Sequence, residues 1–342
     1  MSKTKIIDIA NKAQVSITAV SFALNGKEGI SQQTRDKILQ TAEEIGYEFK
    51  QTKNAKKRSS NRGKTVLLLI CSRSFITQNV FQQTPFFSEL LKAFEEKLSA
   101  SGYRCLIKSI NIDDNFEDNL KMLFETQSIN GLLLVATDMF EEDVLMVGKY
   151  CPNVVVIDTC FDRLEINCVV MDNYLGGVLA ARKAIESGHK HIGYVQSSIR
   201  IYNFEMRKKG FFEELERRGV KVQPKDILTT ESSLDSSYEF LKDHVNCLED
   251  KPTFYFAESD YMAIGLMKAL QFNGVSVPDE VSVVGFDNIE MTRVTTPQLT
   301  TINVPKIKMA EFCISQLAYI LKHEKSHSIK SFISVDLVQR GT

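Results

Sequence analysis

From Thr65 onward the chain alternates between short apolar runs and longer amphipathic stretches, a pattern that few folds accommodate. The runs Val66–Cys71, Tyr103–Ile107, Gly131–Ala136, Val154–Ile157, Cys168–Met171, Ile192–Val195, Thr253–Ala257 and Val281–Val284 read as strands. They are nearly continuous in Val, Ile and Leu, as strands covered on both faces are. Residues 87–101, 115–128, 173–187, 205–218, 234–247 and 260–273 between them read as helices. Strand and helix in turn imply parallel, doubly wound sheets, and there are units enough for two. Such sheets take ligands at the carboxyl ends of their strands, so two facing sheets would enclose one between them.

The first fifty residues follow a different period. Ile6, Ile9, Ala10 and Ala13 form the apolar stripe of a short helix. Ser16 is an N-cap for a second helix with Ala19, Val20, Ala23 and Leu24 inside, stopped by Asn25-Gly26. A third starts at Ser31, turns Ile38, Ala42 and Ile45 inward, and ends at Gly46. Two helices about a tight turn with a third in support are a helix-turn-helix, an all-α unit that offers its second helix to the major groove of DNA. Charge separates this reading from that of a plain helical bundle. Residues 1–64 hold 13 Lys or Arg against 6 Asp or Glu, a net of +7, while the whole chain is at −1 and the rest therefore at −8. A basic head on an acidic body is the footprint of a nucleic-acid module. Residues 50–64, KQTKNAKKRSSNRGK, are polar and basic and read as a linker.

At 342 residues the chain is long enough for two or three domains of ~100–200 residues. No apolar run approaches the ~18 residues of a membrane span, and the N-terminus has no secretory pattern, so a cytoplasmic location is expected. Seven cysteines are scattered and never spaced as CxxC, which favours buried reduced thiols over disulfides or zinc. His189 and His191 bracket the start of a strand, where structural roles predominate. No metal and no cofactor are expected.

Motifs spread over nearly the whole length resemble the lactose repressor/galactose repressor (LacI/GalR) family of bacterial transcription regulators. The head matches IxDIAxxAxVSxxxVSxxLNG from Ile6 to Gly26, then ISxxTRxKI at 30–38 and IGY at 45–47. The body matches at PFFSEL, GLLL, VVIDT, VVMDNYLGG, SGHKHIGYV, RKKGF, SDYMAIGLMKAL, VPDEVSVVGFDN, PQLTTI and the closing VQRGT. The resemblance implies a helix-turn-helix domain over 1–49, a hinge over 50–64 and a two-lobed, periplasmic-binding-protein-like effector domain over 65–342. Lobe one is expected at about 65–163 and 292–323, and lobe two at about 164–291 and 324–342.

In the family, positions matching Ile17, Thr18, Ser21 and Phe22 reach base edges, while those matching Ser16, Asn25, Ser31, Thr34 and Tyr47 hold phosphates. Thr18 and Ser21 offer hydrogen bonds; Ile17 and Phe22 offer apolar contact only, as with thymine methyls. Phe22 alternatively packs under the linker, and Ser16 and Ser31 also cap helices. Three departures stand out. Gln14 replaces the usual turn glycine, where a left-handed conformation costs a non-glycine roughly 1–2 kcal/mol. Lys5 replaces threonine. Lys56 stands where the family hinge inserts a leucine into the minor groove, so Lys53, Lys56, Lys57 and Arg58 imply a mostly electrostatic hinge.

For the effector, the resemblance points to Phe86, Phe87, Asp158, Arg207, Ser259 and Asp287. The Arg207 fork suits vicinal hydroxyls or a carboxylate, and the carboxylates accept from sugar hydroxyls. The alternatives are a helix cap for Arg207, loop orientation for Asp158, and core packing for Phe86 and Phe87. Ser259 replaces an asparagine, which alters the usual hexose pose. The stretch SRSFITQNVFQQT between Cys71 and Pro85 is longer than usual. A sugar or sugar phosphate is the leading ligand; a purine or a protein co-regulator follows.

The implied protein is a repressor controlled allosterically by its effector, bound as a homodimer to a near-palindromic operator; without a heptad tail after Arg340 no tetramer is expected. An exported sugar-binding protein shares the two-lobed body but would not need the head. An enzyme is disfavoured: Gly63-Lys64-Thr65 echoes a phosphate loop whose first glycine is replaced by Arg58, and GxGxxG, GxSxG and HExxH are absent.

Overall fold

A computed structural model describes residues 5–25, 29–45, 47, 61, 63–73, 85–246, 250–323 and 327–342. Contacts divide the chain into two compact units, Met1–Arg62 and Gly63–Thr342. Lys53, Lys56, Lys57, Arg58 and the stretch 74–84 lie outside the described residues.

In the first unit, α1 (Ile6–Ala13), α2 (Ile17–Asn25) and α3 (Gln32–Glu44) bury Ile9, Ala10, Ala13, Val20, Ala23, Ile38 and Ala42 against one another. These are the inward positions of the three expected stripes. The α1–α2 turn closes through Gln14, whose φ of 56° and ψ of 48° place it in the left-handed region, so this non-glycine residue holds the conformation that glycine adopts without strain.

The second unit holds two six-stranded sheets. The first contains β1 (Thr65–Ser72), β2 (Arg104–Asn111), β3 (Gly131–Val135), β4 (Val154–Ile157), β5 (Cys168–Met171) and β11 (Lys330–Ile333), in the order β11-β5-β4-β3-β1-β2 and parallel throughout. The second contains β6 (Ile192–Ser197), β7 (Ile227–Thr230), β8 (Phe254–Ala257), β9 (Ser282–Asp287), β10 (Thr300–Asn303) and β12 (Asp336–Val338), in the order β12-β10-β9-β8-β6-β7. Only β12 runs antiparallel, against β10.

Helices α4 (Pro85–Ala100), α5 (Phe116–Thr126), α6 (Glu141–Tyr150) and α11 (Lys306–Ile320) belong to the first lobe; α7 (Asn173–Glu186), α8 (Tyr202–Arg217), α9 (Leu234–Asn246) and α10 (Asp260–Phe272) to the second. The inner strands are buried through their length, with Leu67, Leu68 and Leu69 covered in one lobe and Phe254 and Phe256 in the other, which explains their continuous rather than alternating apolar character.

The sheets correct the expected lobe boundaries. β5 and β11 lie in the first sheet, although 164–291 and 324–342 were expected in the second lobe; β10 lies in the second, although 292–323 was expected in the first. The chain therefore crosses between lobes near Asp172, near Val304 and between Ile333 and Asp336. The cause is register. Val156 and Ile157 pair with Cys168 and Val169, and Val169 through Met171 pair with Ser331 through Ile333, an assignment that apolar periodicity does not contain.

Candidate functional site

The head presents a coherent outer face. Ser16 caps α2 through its Oγ, which accepts from Ala19 N at 3.1 Å, and leaves Ile17 and Thr18 exposed on the first turn, with Ser21 half-buried one turn later. Phe22 is half-buried; a methyl group on Gly29 would stand 2.9 Å from its ring, so the ring packs against that glycine. Ser31 caps α3: its Oγ accepts from Thr34 N at 3.1 Å and meets Thr34 Oγ1 at 2.7 Å. Asn25 closes α2, and Tyr47 is half-buried against the head core with its N–H donating to Ala42 O. Sequence reasoning missed Arg35, whose Nη1 reaches the carbonyls of Phe22 and Ala23 at 3.2 and 3.3 Å and so ties α3 to the end of α2.

In the body, Asp158, Arg207 and Asp287 converge. All three are buried, Asp158 to 1 % exposure and Arg207 to 3 %. Asp158 follows β4 with φ 66°, and Asp287 ends β9 with φ 117°, so both carboxylates leave carboxyl ends of strands, from opposite lobes. A polar relay joins them. Thr137 Oγ1 donates to Asp158 Oδ2 at 2.5 Å, and Asn203 Nδ2 to Asp158 O and Oδ1 at 2.9 and 3.2 Å. Asn173 Nδ2 donates to Asn203 Oδ1 at 2.9 Å, and Arg207 Nε to Asn173 Oδ1 at 2.9 Å. Arg207 Nη1 donates to Glu258 O at 2.5 Å, Nη2 reaches Asp287 Oδ1 at 3.4 Å, and the guanidinium lies 3.6 Å over the Phe286 ring. Arg207 thus lies within its helix and joins this buried network rather than capping a helix end.

Two glycines make this possible. A Cβ on Gly177 of α7 would stand 2.1 Å from Arg207 O, and one on Gly210 of α8 would stand 2.0 Å from Tyr174 O. Only bare backbone lets the two helices approach and aim Asn173, Asn203 and Arg207 at one point.

A second bridge runs parallel. Lys306 Nζ, at the start of α11, donates to Asp287 O at 2.9 Å, pairs with Glu89 Oε2 at 3.1 Å and stands 5.2 Å from the centre of the Phe86 ring. Glu89 Oε1 accepts from Glu290 N at 3.3 Å. Phe86 and Phe87 are both buried in the core with their rings edge-on, and Phe86 also borders the network. Ser259 serves its own helix instead, capping α10 with an Oγ that accepts from Met262 N at 3.4 Å. Glu258, in contrast, is fully buried and accepts from Tyr194 Oη, Ser197 N and Arg200 Nη1, each at 2.7 Å. The closing motif has a place here too. Arg340 Nη2 donates to Asn288 Oδ1 at 2.5 Å, and its Nη1 to Thr292 Oγ1 and Leu299 O, both at 2.8 Å, which holds the turn after Asp287.

Burial sets the electrostatics. It pushes the Asp158 carboxyl up to about 7, against the opposing hydrogen bond from Thr137 and the nearby Arg207 charge. Burial also raises Asp287, with Arg207 and Lys306 opposing, and raises Asp260, whose carboxylate accepts from Thr301 Oγ1 and Ile289 N. A cavity of about 360 Å³ opens beside the relay, lined by Met171, Asp172, Asn173, Tyr174, Tyr202, Met206, Lys209, Glu213 and Phe332; Asn173 is common to both.

Sequence reasoning missed Thr137, Asn173, Arg200, Asn203, Glu258 and Lys306. Thr137, Asn173 and Glu258 had a signal: each lies one or two residues beyond an apolar run, where parallel sheets place ligand residues. Asn203 is four residues before Arg207 on one helix face.

Comparison with known proteins agrees with this geometry. Residues 5–48 match the model for bacterial regulatory proteins of the lacI family, and residues 181–342 match a periplasmic binding protein-like domain. The HTH-type transcriptional repressor PurR of Mannheimia succiniciproducens is 27% identical over 338 residues, covering 98% of this chain and 97% of the relative. The HTH-type transcriptional repressor CytR of Escherichia coli (strain K12) is 28% identical over 338 residues, covering 98% and 95%. The fold matches a transcriptional regulator CelR–cellobiose complex (TM-score 0.71, 22% identity, 99% of each chain). It also matches the lac repressor dimer bound to operator and the anti-inducer ONPF (TM-score 0.70, 20% identity, 100% of this chain and 99% of that one). With the motifs, the helix-turn-helix and the two-sheet body in one order along one chain, this protein belongs to the lacI family of bacterial regulatory proteins and is a DNA-binding transcriptional regulator rather than an enzyme.

Proposed function

We propose that the chain is a cytoplasmic repressor that binds a near-palindromic operator as a homodimer and is controlled by a small, uncharged polyhydroxyl effector held between its lobes. The buried relay from Asp158 through Asn203, Asn173 and Arg207 to Asp287 carries this reading, because it joins the two lobes through groups that sugar hydroxyls can replace. Hydrogen-bonding capacity favours a polyhydroxyl ligand: Asp158, Glu258, Asp260, Asp287 and Glu89 gather there with Arg200, Arg207 and Lys306, a mixed set of acceptors and donors that suits hydroxyl groups. The cellobiose held by one structural neighbour supports the ligand class, and the operator-bound lac repressor dimer supports the assembly. Among the described residues no helix is long and apolar enough to cross a membrane.

On DNA, Ile17, Thr18 and Ser21 read base edges while Ser16, Asn25, Ser31, Thr34 and Tyr47 hold phosphates; Phe22, packed on Gly29, contributes support. Effector and operator then alter each other's affinity equally, typically by about 1–3 kcal/mol. Selection of sites from random duplex DNA tests the first half: a palindrome of two related half-sites is expected, and salt-sensitive binding without enrichment contradicts it. Thermal-shift titration with neutral sugars, their phosphates and purine nucleosides tests the second. A neutral sugar should stabilise the wild type and leave Arg207→Ala unmoved; stabilisation by phosphates or nucleosides alone overturns the ligand class.

A further inference from the structure

Cys160 lies two residues beyond Asp158, and Cys168 opens β5. Their sulfurs are 3.4 Å apart, with the Cys168 thiol donating to the Cys160 sulfur, and both residues are buried. No other two described cysteines share a hydrogen bond between sulfurs. Lys330 pairs with Cys168 across the sheet, and its Nζ donates to the carbonyls of Phe161 and Asp162 at 2.6 and 3.3 Å, so an ammonium backs the peptide that follows Cys160.

We propose that Cys160 and Cys168 are a peroxide-responsive dithiol that closes to a disulfide at the foot of the effector cleft. Cys160 is the attacking sulfur: the hydrogen bond from Cys168 and the charge of Lys330 hold its thiol below the ordinary range, while the same bond and burial raise Cys168. The Cys160 thiolate attacks one oxygen of hydrogen peroxide, the O–O bond breaks, and the departing hydroxide takes a proton to leave as water. Cys160 is now a sulfenic acid. The Cys168 sulfur attacks the Cys160 sulfur, the S–O bond breaks, and the hydroxide leaves as water with the Cys168 proton. Two thiols and one peroxide thus give one disulfide and two waters.

Closure brings the sulfurs from 3.4 Å to about 2 Å. The segment that shifts begins at Asp158, whose carbonyl and carboxylate hold Asn203 of the other lobe. Oxidation therefore acts on the same inter-lobe contact as the effector, and this second step rests on the regulatory reading above.

The test uses reduced full-length protein given one equivalent of hydrogen peroxide, then alkylated, digested and examined by mass spectrometry without reductant. The expected product joins the peptide ending at Arg163 to the one beginning at Leu164, with two hydrogens lost and reversal by dithiothreitol. Fragmentation distinguishes Cys160 from Cys151, which shares its tryptic peptide. Cys168→Ser should replace the cross-link by a dimedone adduct on Cys160. Alkylation of Cys160 and Cys168 as free thiols after Cys105 or Cys151 has reacted overturns the proposal, as does sulfinic acid at Cys160 without a cross-link. Neither readout needs DNA or effector, so failure of the regulatory reading remains distinguishable. With an operator in hand, oxidised wild type should differ from reduced by about fivefold or more in affinity, and Cys160→Ser/Cys168→Ser should not respond. A cross-link with unchanged affinity overturns the coupling.

Discussion

Asn203 donates to both the carbonyl and the carboxylate of Asp158, at 2.9 and 3.2 Å, so a helix of one lobe grips the end of a strand of the other. Asn203 also accepts from Asn173, and is only 3 % exposed. Asn203→Ala leaves buried polar groups on both sides without this partner, which should cost about 1–3 kcal/mol in urea unfolding. If the contact holds the lobes together, small-angle scattering should also show a larger radius of gyration for the variant. Unchanged stability and scattering would contradict a latch.

Asp158 gives the fold a particular pH response. Its carboxyl titrates at about 7 in the fold and near 3.9 in the unfolded chain. For a carboxyl raised in the fold, the unfolded state loses its proton first, so this group subtracts stability as pH rises from about 4 to about 7, and the loss then levels. Asp158→Asn removes the titration. The stability difference between variant and wild type should move in favour of the variant across that window, on the order of 2–4 kcal/mol in all. Parallel stability curves from pH 4 to 8 would show that Asp158 keeps an ordinary pKa.

Ligand binding should follow the same group with the opposite sense. An effector that donates hydroxyls to the Asp158 carboxylate binds the ionised form, so its affinity should rise from pH 6 to pH 8 in calorimetry. A flat profile would place the effector elsewhere.

Much of this was legible in residue order, for reasons visible at single positions. Ile9, Val20 and Ile38 could be placed inside the head because helical period alone selects an inner face. The eight apolar runs all became strands; in the seven other than β2, burial on two faces leaves little room for polar alternation, whereas β2 is a partly exposed edge strand. β7, β10, β11 and β12 were missed. They are three or four residues long, and Lys330, Asp336 and the threonines of β7 and β10 give them mixed polarity. The assignment of β5, β10 and β11 to sheets depends on long-range pairing, which no local pattern states. Asp158, Arg207 and Asp287, which the structure brings into one buried network, stand out in the sequence because they occupy strand ends or a family motif. Asn173 and Asn203 do not, since an asparagine near a helix start reads as a capping residue until its partners are known.

The glycines between α7 and α8 make a steric prediction. Gly177→Ala and Gly210→Ala each drive a methyl to within about 2 Å of a backbone oxygen, and should destabilise by roughly 1–3 kcal/mol or more, because overpacking forces backbone shifts. Gly148→Ala is the control: it lies within α6, meets nothing within 4 Å, and should gain about 0.5–1 kcal/mol. Equal behaviour of the three in thermal unfolding would refute the close helix approach.

In the head, Gln14 at φ 56° makes the opposite substitution favourable. Gln14→Gly should raise head stability by about 1 kcal/mol, relief of left-handed strain outweighing the added freedom of the unfolded chain. A destabilised variant would mean that the glutamine side chain makes a contact worth more than the strain.

The linker should reveal its role in salt dependence. Lys56 stands where the family carries a wedge leucine, with Lys57 and Arg58 directly after it. Cations neutralise phosphates and release counterions, and each contact adds roughly 0.9 to the slope of log affinity against log salt. Lys56→Ala/Lys57→Ala/Arg58→Ala should therefore flatten that slope by about 3 units per linker at most, while the half-site sequence preferred by Ile17, Thr18 and Ser21 stays the same. Lys56→Leu asks the reverse question. If the hinge grips by charge alone, this variant flattens the slope by about one unit and leaves DNA bending as in the wild type. An unchanged slope in the triple variant would mean that these three side chains do not touch DNA.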